Sequence, residues 1–169
     1  GTNYSDDPKP EDTSSLPDDM LVLEPVKELF KDEIRHVGES LGLPMAMTGR
    51  QPFPGSGLAL RIMGEVTKER LETLRTADHI FREEIALNHA EKKLWQYFAV
   101  LSPLPGEEEG HVICLRAVQT GDQHMAYAAR LPYDVVESTT RRILETLPQV
   151  KRVVYDLTPS NNYSGIEWQ

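Results

Sequence analysis

The chain has 169 residues, enough for one domain with a usable core plus an extension, and 39% of them are hydrophobic. Its 27 acidic against 18 basic residues leave a net charge of −9, a field that repels phosphate backbones and argues against general binding to nucleic acid or anionic membranes. The single cysteine, Cys114, leaves no intrachain disulfide framework or multi-cysteine zinc site and reads as a buried, inert thiol; with no run of membrane-spanning length and no secretory pattern, the cytoplasm is the expected location.

Residues 1–22 are polar, acidic and proline-bearing, and are expected to form a flexible lead-in, with Asp6, Asp7, Glu11 and Asp12 as a solvated charged tail. Residues 23–49 read as a connecting helix. Val26, Phe30, Ile34, Val37 and Leu41 recur at three- and four-residue spacing, so a helix is predicted over 25–41, opened by Pro25 and closed by Gly42. A domain over 50–169 follows. It begins with RQPFPGSGLALR, residues 50–61, in which Pro52 and Pro54 stiffen the loop while Gly55 and Gly57 leave backbone N–H groups unshielded. Such amides can converge on a phosphate or carboxylate, and Arg61 would add charge from a strand predicted over 58–63. From these residues alone the loop fits an anion cradle or a plain tight connection.

A helix is predicted over 67–88, with Thr67 as N-cap and Leu71, Leu74, Phe81 and Ile85 on one side. Strands are predicted over 97–101, 112–118 and 152–157, with GEEEG at 106–110 turning between the first two. A helix over 133–147 should carry Val136, Thr140, Ile143 and Leu147 inward and end at Pro148. In 112–118, Ile113, Leu115 and Ala117 share one face while Val112, Cys114, Arg116 and Val118 share the other. Both faces are largely apolar, so the second calls for a partner; a two-fold mate would supply it, with Arg116 at the interface meeting an acidic group across it.

PFPGSGLALRIMGEVTKERLETLRTADHIFREEI closely resembles a segment of glutamine-hydrolysing GMP synthetases, and LWQYFAVLSPLP, CLRAVQTGD, ARLPYDVVESTTRRILETLPQVKRVVYDLT and the closing GIEWQ resemble later segments of that family in the same order. The resemblance runs from about Leu23 to the C-terminus. It implies an α+β fold of two layers, a small antiparallel or mixed sheet covered by helices, in the C-terminal domain that helps hold xanthosine 5′-monophosphate (XMP) and pairs as a homodimer. Enzymes of that family adenylate XMP with ATP and Mg²⁺, then displace AMP with ammonia from glutamine. By resemblance, Phe53, Pro54, Gly55, Ser56, Gly57 and Arg61 shape the XMP pocket and Arg61 contacts the nucleotide, while Ser160, Asn161, Asn162 and Glu167 close it from the C-terminal segment. No catalytic residue and no metal ligand is expected in this chain, and no cofactor bound by it alone. ATP and Mg²⁺ would belong to the complete enzyme, with ATP-pyrophosphatase and glutamine amidotransferase domains or subunits as partners.

The chain departs from the family pattern at the ligand end. GTNYSD resembles GTLYPD of the ATP-pyrophosphatase domain, yet the sequence passes almost directly to SSLPDDM, without the histidine-bearing lid or an SGGVDS-type loop. In PSNNYSGIEWQ the family lysine is replaced by Asn161 or Asn162, and Gly165 stands where threonine would, while Glu167 is retained. These departures leave room for an alternative, a non-catalytic nucleotide-sensing or dimerising module of the same fold. Elsewhere the signals are bland. The five histidines are scattered, Asp78, His79 and Ser138 lack a nucleophile elbow, and Glu83 and Glu84, adjacent on a helix, should point different ways. Gln96, Trp95, Tyr127 and Tyr133 read as packing residues.

Overall fold

The computed structural model describes residues 23–49, 51, 57–91, 94–106, 110–120 and 126–159. It divides between Arg50 and Gln51 into two compact units. The first unit holds α1, Lys31–Ser40, and the short α2, Met45–Thr48. α1 starts later than the apolar spacing suggests because Glu33 Oε2 accepts the Phe30 N–H at 2.8 Å and sets the first turn there, while 24–29 form hydrogen-bonded turns. Gly42, at φ +87°, ends it as expected. Within this unit the stripe of Phe30, Ile34, Val37 and Leu41 is exposed.

The second unit carries α3, Lys68–Leu87, and α4, Tyr133–Thr146, with strands β1, Gln96–Pro103, β2, His111–Thr120, β3, Ala126–Ala128, and β4, Val150–Tyr155. Among the described residues the sheet is mixed. β2 lies in the middle, antiparallel to β1 on one side; on the other, antiparallel β3 pairs with its end at Val118–Thr120 and parallel β4 with its beginning at His111–Leu115. The mixed alternative in the expected fold is therefore the observed one. β3 has only three residues and carries no apolar alternation long enough to read from the sequence.

The main core lies between the sheet and the two long helices. Ala99, Leu101, Ile113, Leu115 and Ala117 face Leu74, Phe81, Ile85, Val135 and Ile143, and Phe81 meets Tyr97 edge to face at 6.3 Å. α3 matches its predicted span, and Thr67 Oγ1 accepts the Arg70 N–H at 3.3 Å as an N-cap. On α4, Ile143 and Leu147 are buried as expected, but in its first half the inward positions are Val135 and Thr139, whereas Val136 and Thr140 are only half-buried. Thr139 tolerates full burial because its hydroxyl donates to the Val135 carbonyl oxygen at 2.6 Å.

The expectation over 58–63 is corrected. Ala59–Arg61 is a turn of 3₁₀ helix, and Ile62 touches the sheet only through an isolated parallel bridge to Leu101. Up to Ile62 the backbone bonds in this stretch are local, with Arg61 N–H donating to Leu58 O and Ile62 N–H to Ala59 O, so the segment folds on itself before Met63 N–H reaches Leu101 O at the strand edge. On the second sheet face, Phe98, Val100 and Cys114 form a small buried cluster with Met63 against it, and Arg116 and Val118 are buried as well, while Val112 is half-buried and Val154 of β4, beside Cys114, is 39% exposed.

Candidate functional site

Of the expected ligand residues, Phe53, Pro54, Gly55, Ser56, Ser160, Asn161, Asn162 and Glu167 lie outside the described residues, and Gly57 and Arg61 lie within them. Arg61 sits at the end of the 3₁₀ turn with only 5% of its surface exposed. Its Nη1 donates to Asp78 Oδ1 at 2.6 Å, its Nε to the Gly57 carbonyl oxygen at 2.9 Å, and its guanidinium carbon lies 5.7 Å from the centroid of the Phe98 ring. Burial draws its pKa below the ordinary arginine value, with Asp78 opposing that shift. The side chain expected to meet a nucleotide is turned onto an internal carboxylate and also holds Gly57, where the Pro/Gly loop ends.

Asp78 organises this corner. Besides Arg61 it accepts from Arg82 Nε at 2.8 Å and from the Ala99 N–H at 2.9 Å. One carboxylate thus joins α3, the loop exit and the edge of β1. Gln51 makes a second link at the other end of the loop, where its Oε1 accepts the Tyr97 N–H at 2.8 Å.

Arg116, expected at a dimer interface, finds its acidic partner in its own chain: Nη1 is bonded to Asp156, which directly follows β4. Burial alone would raise the Asp156 pKa, but hydrogen bonds from Thr158 and the Arg116 charge outweigh it and hold the carboxyl below its usual range. Asp156 N–H donates to Leu115 O and Asp156 Oδ1 accepts from Thr158 N–H, so the chain leaving β4 is fixed as far as Thr158. Tyr155 adds a bond from its hydroxyl to the Ala129 carbonyl oxygen at 2.6 Å.

The remaining candidates settle into structural roles. Glu83 and Glu84 do not diverge as expected, since Arg142 of α4 donates to both, at 2.7 Å each, and ties the two helices together. His79 is exposed and faces Glu83 at 3.3 Å. Cys114 is buried, with its thiol pushed up to about 12, first by burial and then by the neighbouring Asp156. Gln96 is buried in β1. Among the described residues no helix is long and apolar enough to cross a membrane.

The sequence reading missed Asp78, Asp156 and Gln51. Asp78 left a signal, a carboxylate on the apolar side of α3 between Leu74 and Phe81, and Asp156 left another as the acid that follows the last strand. Gln51 left none, because its role depends on a backbone group 46 residues away.

A second feature lies on the outer face of α4. Tyr133, Val136, Thr140 and Leu144, with Glu137, Arg141 and Glu145, line a shallow cleft of about 510 Å³. Tyr127, Leu131, Tyr155 and Leu157 continue the apolar surface in an adjoining cleft that shares Tyr133 and Val136.

Comparison with known proteins bears on what this corner serves. The family model described as "GMP synthase C terminal domain" matches residues 83–168. The chain is 48% identical over 179 aligned residues to "GMP synthase [glutamine-hydrolyzing]" of Clostridium novyi (strain NT), a match covering 100% of this chain and 35% of that protein. The same figures hold for the protein of that name from Clostridium botulinum (strain Hall / ATCC 3502 / NCTC 13319 / Type A). For Clostridium perfringens (strain 13 / Type A) the identity is 48% over 163 residues, covering 91% of this chain and 32% of the relative. The chain spans about a third of the length of the curated relatives it matches.

Proposed function

The chain belongs to the GMP synthase family through its C-terminal domain, and from that premise we propose that it is the XMP-binding and dimerising part of a glutamine-hydrolysing GMP synthase. In this reading it contributes to the ATP-dependent amination of XMP to GMP. The observation that supports the reading is the residue that follows the Pro/Gly loop: the Gly57 carbonyl oxygen is held by Arg61, which is locked in turn by Asp78, next to where the family places its nucleotide.

The residues divide by role. Phe53, Pro54, Gly55, Ser56 and Gly57 shape the pocket, with backbone amides and the Ser56 hydroxyl available to an anionic tail. Ser160, Asn161, Asn162 and Glu167 close it, and the Glu167 carboxylate can accept from the purine or ribose. Arg61 positions the loop rather than meeting the ligand. ATP and Mg²⁺ are taken up by a separate ATP-pyrophosphatase part, and ammonia comes from a glutamine amidotransferase. With asparagine where the family carries a lysine, one charge-assisted phosphate contact is lost, on the order of 1.5–3 kcal/mol or roughly ten- to hundredfold in affinity. That substitution is what favours a second reading, a nucleotide-sensing or dimerising module without catalysis.

The test adds this chain to a separately expressed ATP-pyrophosphatase part with XMP, ATP, Mg²⁺ and ammonium. AMP release that depends on the chain is the expected result; release that ignores it, together with XMP binding by the chain alone, selects the sensing module.

A further inference from the structure

Buried imidazole nitrogens are ordinarily hydrogen-bonded, and one that is not calls for an explanation. His111, the first residue of β2, is 9% exposed, and among the described residues its Nδ1 has no hydrogen-bond partner. The same residue lines a cleft of about 740 Å³, within the size range of small-molecule sites. Thr67, Lys68 and Arg70 border this cleft at the start of α3, and Thr73 and Gln149 border it further along, joined by a bond from Gln149 Nε2 to Thr73 Oγ1 at 2.8 Å. His111 N–H donates to the Gln149 carbonyl oxygen at 2.9 Å, which fixes the histidine beside that pair. α3 runs for 20 residues, so its first turn offers N–H donors and the positive end of a long helix dipole. That end already holds an anion of its own. The exposed Glu69 carboxyl is kept below its usual range by hydrogen bonds, first from its own N–H and then from the Thr67 hydroxyl.

We propose that this cleft receives the phosphate group of a small molecule, with donors from the first turn of α3 and from His111 and the charges of Lys68 and Arg70 beside them. A phosphate has enough acceptor oxygens to take donors from several sides at once, which a two-oxygen carboxylate does not. The Glu69 carboxylate marks where one of those oxygens sits, and an exposed side chain swings aside readily to admit it. An imidazole carries its proton on either nitrogen, and a half-turn of the ring exchanges the places of nitrogen and carbon, so His111 can present an N–H to the cleft without leaving its site. Glu72, the other acid at the cleft, is bonded to Arg75, so its charge is matched. Leu147 gives the rest of the molecule an apolar surface. None of the residues assigned above to XMP takes part.

The experiment titrates inorganic phosphate into the 169-residue chain at constant pH and ionic strength and follows backbone amides and histidine ring nitrogens by NMR. Saturable shifts of the Lys68, Glu69 and Arg70 amides together with the His111 ring nitrogens are expected. Glu69→Ala should tighten binding about threefold by freeing the first-turn N–H and the Thr67 hydroxyl, and Lys68→Ala should weaken it by about the same factor. His111→Phe should weaken it about tenfold, the scale of one hydrogen bond to a charged group. Shifts that stay linear in phosphate, or amides that move while the His111 ring nitrogens do not, overturn the proposal. So does weaker binding in Glu69→Ala. Acetate bound as tightly as phosphate overturns the assignment to a phosphate group. Glu69 and Lys68 are both exposed, so if His111→Phe fails to fold, these two variants and the ring nitrogens of the unaltered chain still decide.

Discussion

Asp78 occupies a position on α3 where the apolar stripe calls for a hydrophobic side chain, and its three partners explain why a carboxylate is retained there. Removing one member of a buried ion pair leaves the other charge desolvated and unmatched, which costs about 3–5 kcal/mol. Asp78→Ala would leave Arg61, 5% exposed, without its acid and the Ala99 N–H without its acceptor. Set against a total of about 5–15 kcal/mol for an ordinary domain, the loss should be visible as a large fall in the urea midpoint. The double variant Arg61→Met with Asp78→Ala should recover part of it, because no buried charge remains; no recovery would mean that the backbone contact, and not the charge, dominates. A second residue-scale expectation concerns alkaline pH. Burial pushes Cys114 from an ordinary 9.0 to about 12 and Tyr155 from 10.0 to about 12. Both are neutral when protonated, so the unfolded chain gives up these protons first. Their contribution to stability is intact below about pH 9 and falls as pH rises through 12. Denaturation midpoints measured across that window should decline, and Tyr155→Phe should flatten the decline even though it lowers the starting value by the loss of the bond to Ala129.

At the scale of elements, what could be read in advance depended on whether the signal was local. α3 was legible to the residue at both ends because Thr67 supplies its own cap and the apolar positions repeat over successive turns. Thr67→Ala is accordingly expected to cost about 1 kcal/mol, with Thr67→Ser close to neutral, as thermal melts of the two variants would show. The strands of the β1–β2 hairpin were legible from alternation, though shorter than observed, since Gln96, Pro103 and His111 extend the ladder without adding apolar pattern. Other features were legible only in part. The first half of the α4 stripe was placed one residue off because Thr139 and Thr140 are the same residue type, and the bond to Val135 O goes with the one that is buried, while Ile143 and Leu147 were read correctly. Residues 58–63 have a strand's composition, but local bonds at Leu58 and Ala59 close the turn and leave a single bridge at Ile62. The ligand corner was half legible. Its Pro/Gly loop stood out, yet the bond of Arg61 to Asp78 did not, because Asp78 lies 17 residues away and is brought near only by the packing of α3 on β1.

At the scale of the whole molecule, the homodimer proposed above requires a face for a second copy. The sequence pointed to the second sheet face with Arg116, but Phe98, Val100 and Cys114 are already buried there and Arg116 is matched by Asp156 in its own chain. Among the described residues of the second unit, one apolar surface that a mate could cover lies along α4, where Tyr133 is 75% exposed and Leu144 40%, with Tyr127 and Leu157 beside them. Exposed aromatic and aliphatic groups rimmed by charge have the character of an interaction surface. The charges favour a copy of the same helix. Glu137 and Arg141 are one turn apart, so two α4 helices crossing antiparallel about a two-fold axis level with position 139 would set each Glu137 against the partner's Arg141, twice over. In a homodimer of this kind, Leu144→Glu should raise the dissociation constant steeply by placing a charge in the apolar strip. Glu137→Arg and Arg141→Glu should each weaken association, and the two swaps together should restore it. Sedimentation equilibrium over a concentration series reads all four. Restoration in the double swap is the decisive result, because unrelated surface damage from the single changes would add rather than cancel. If instead the chain dimerises with all three single variants at wild-type strength, the mate occupies another face and α4 stays open to solvent.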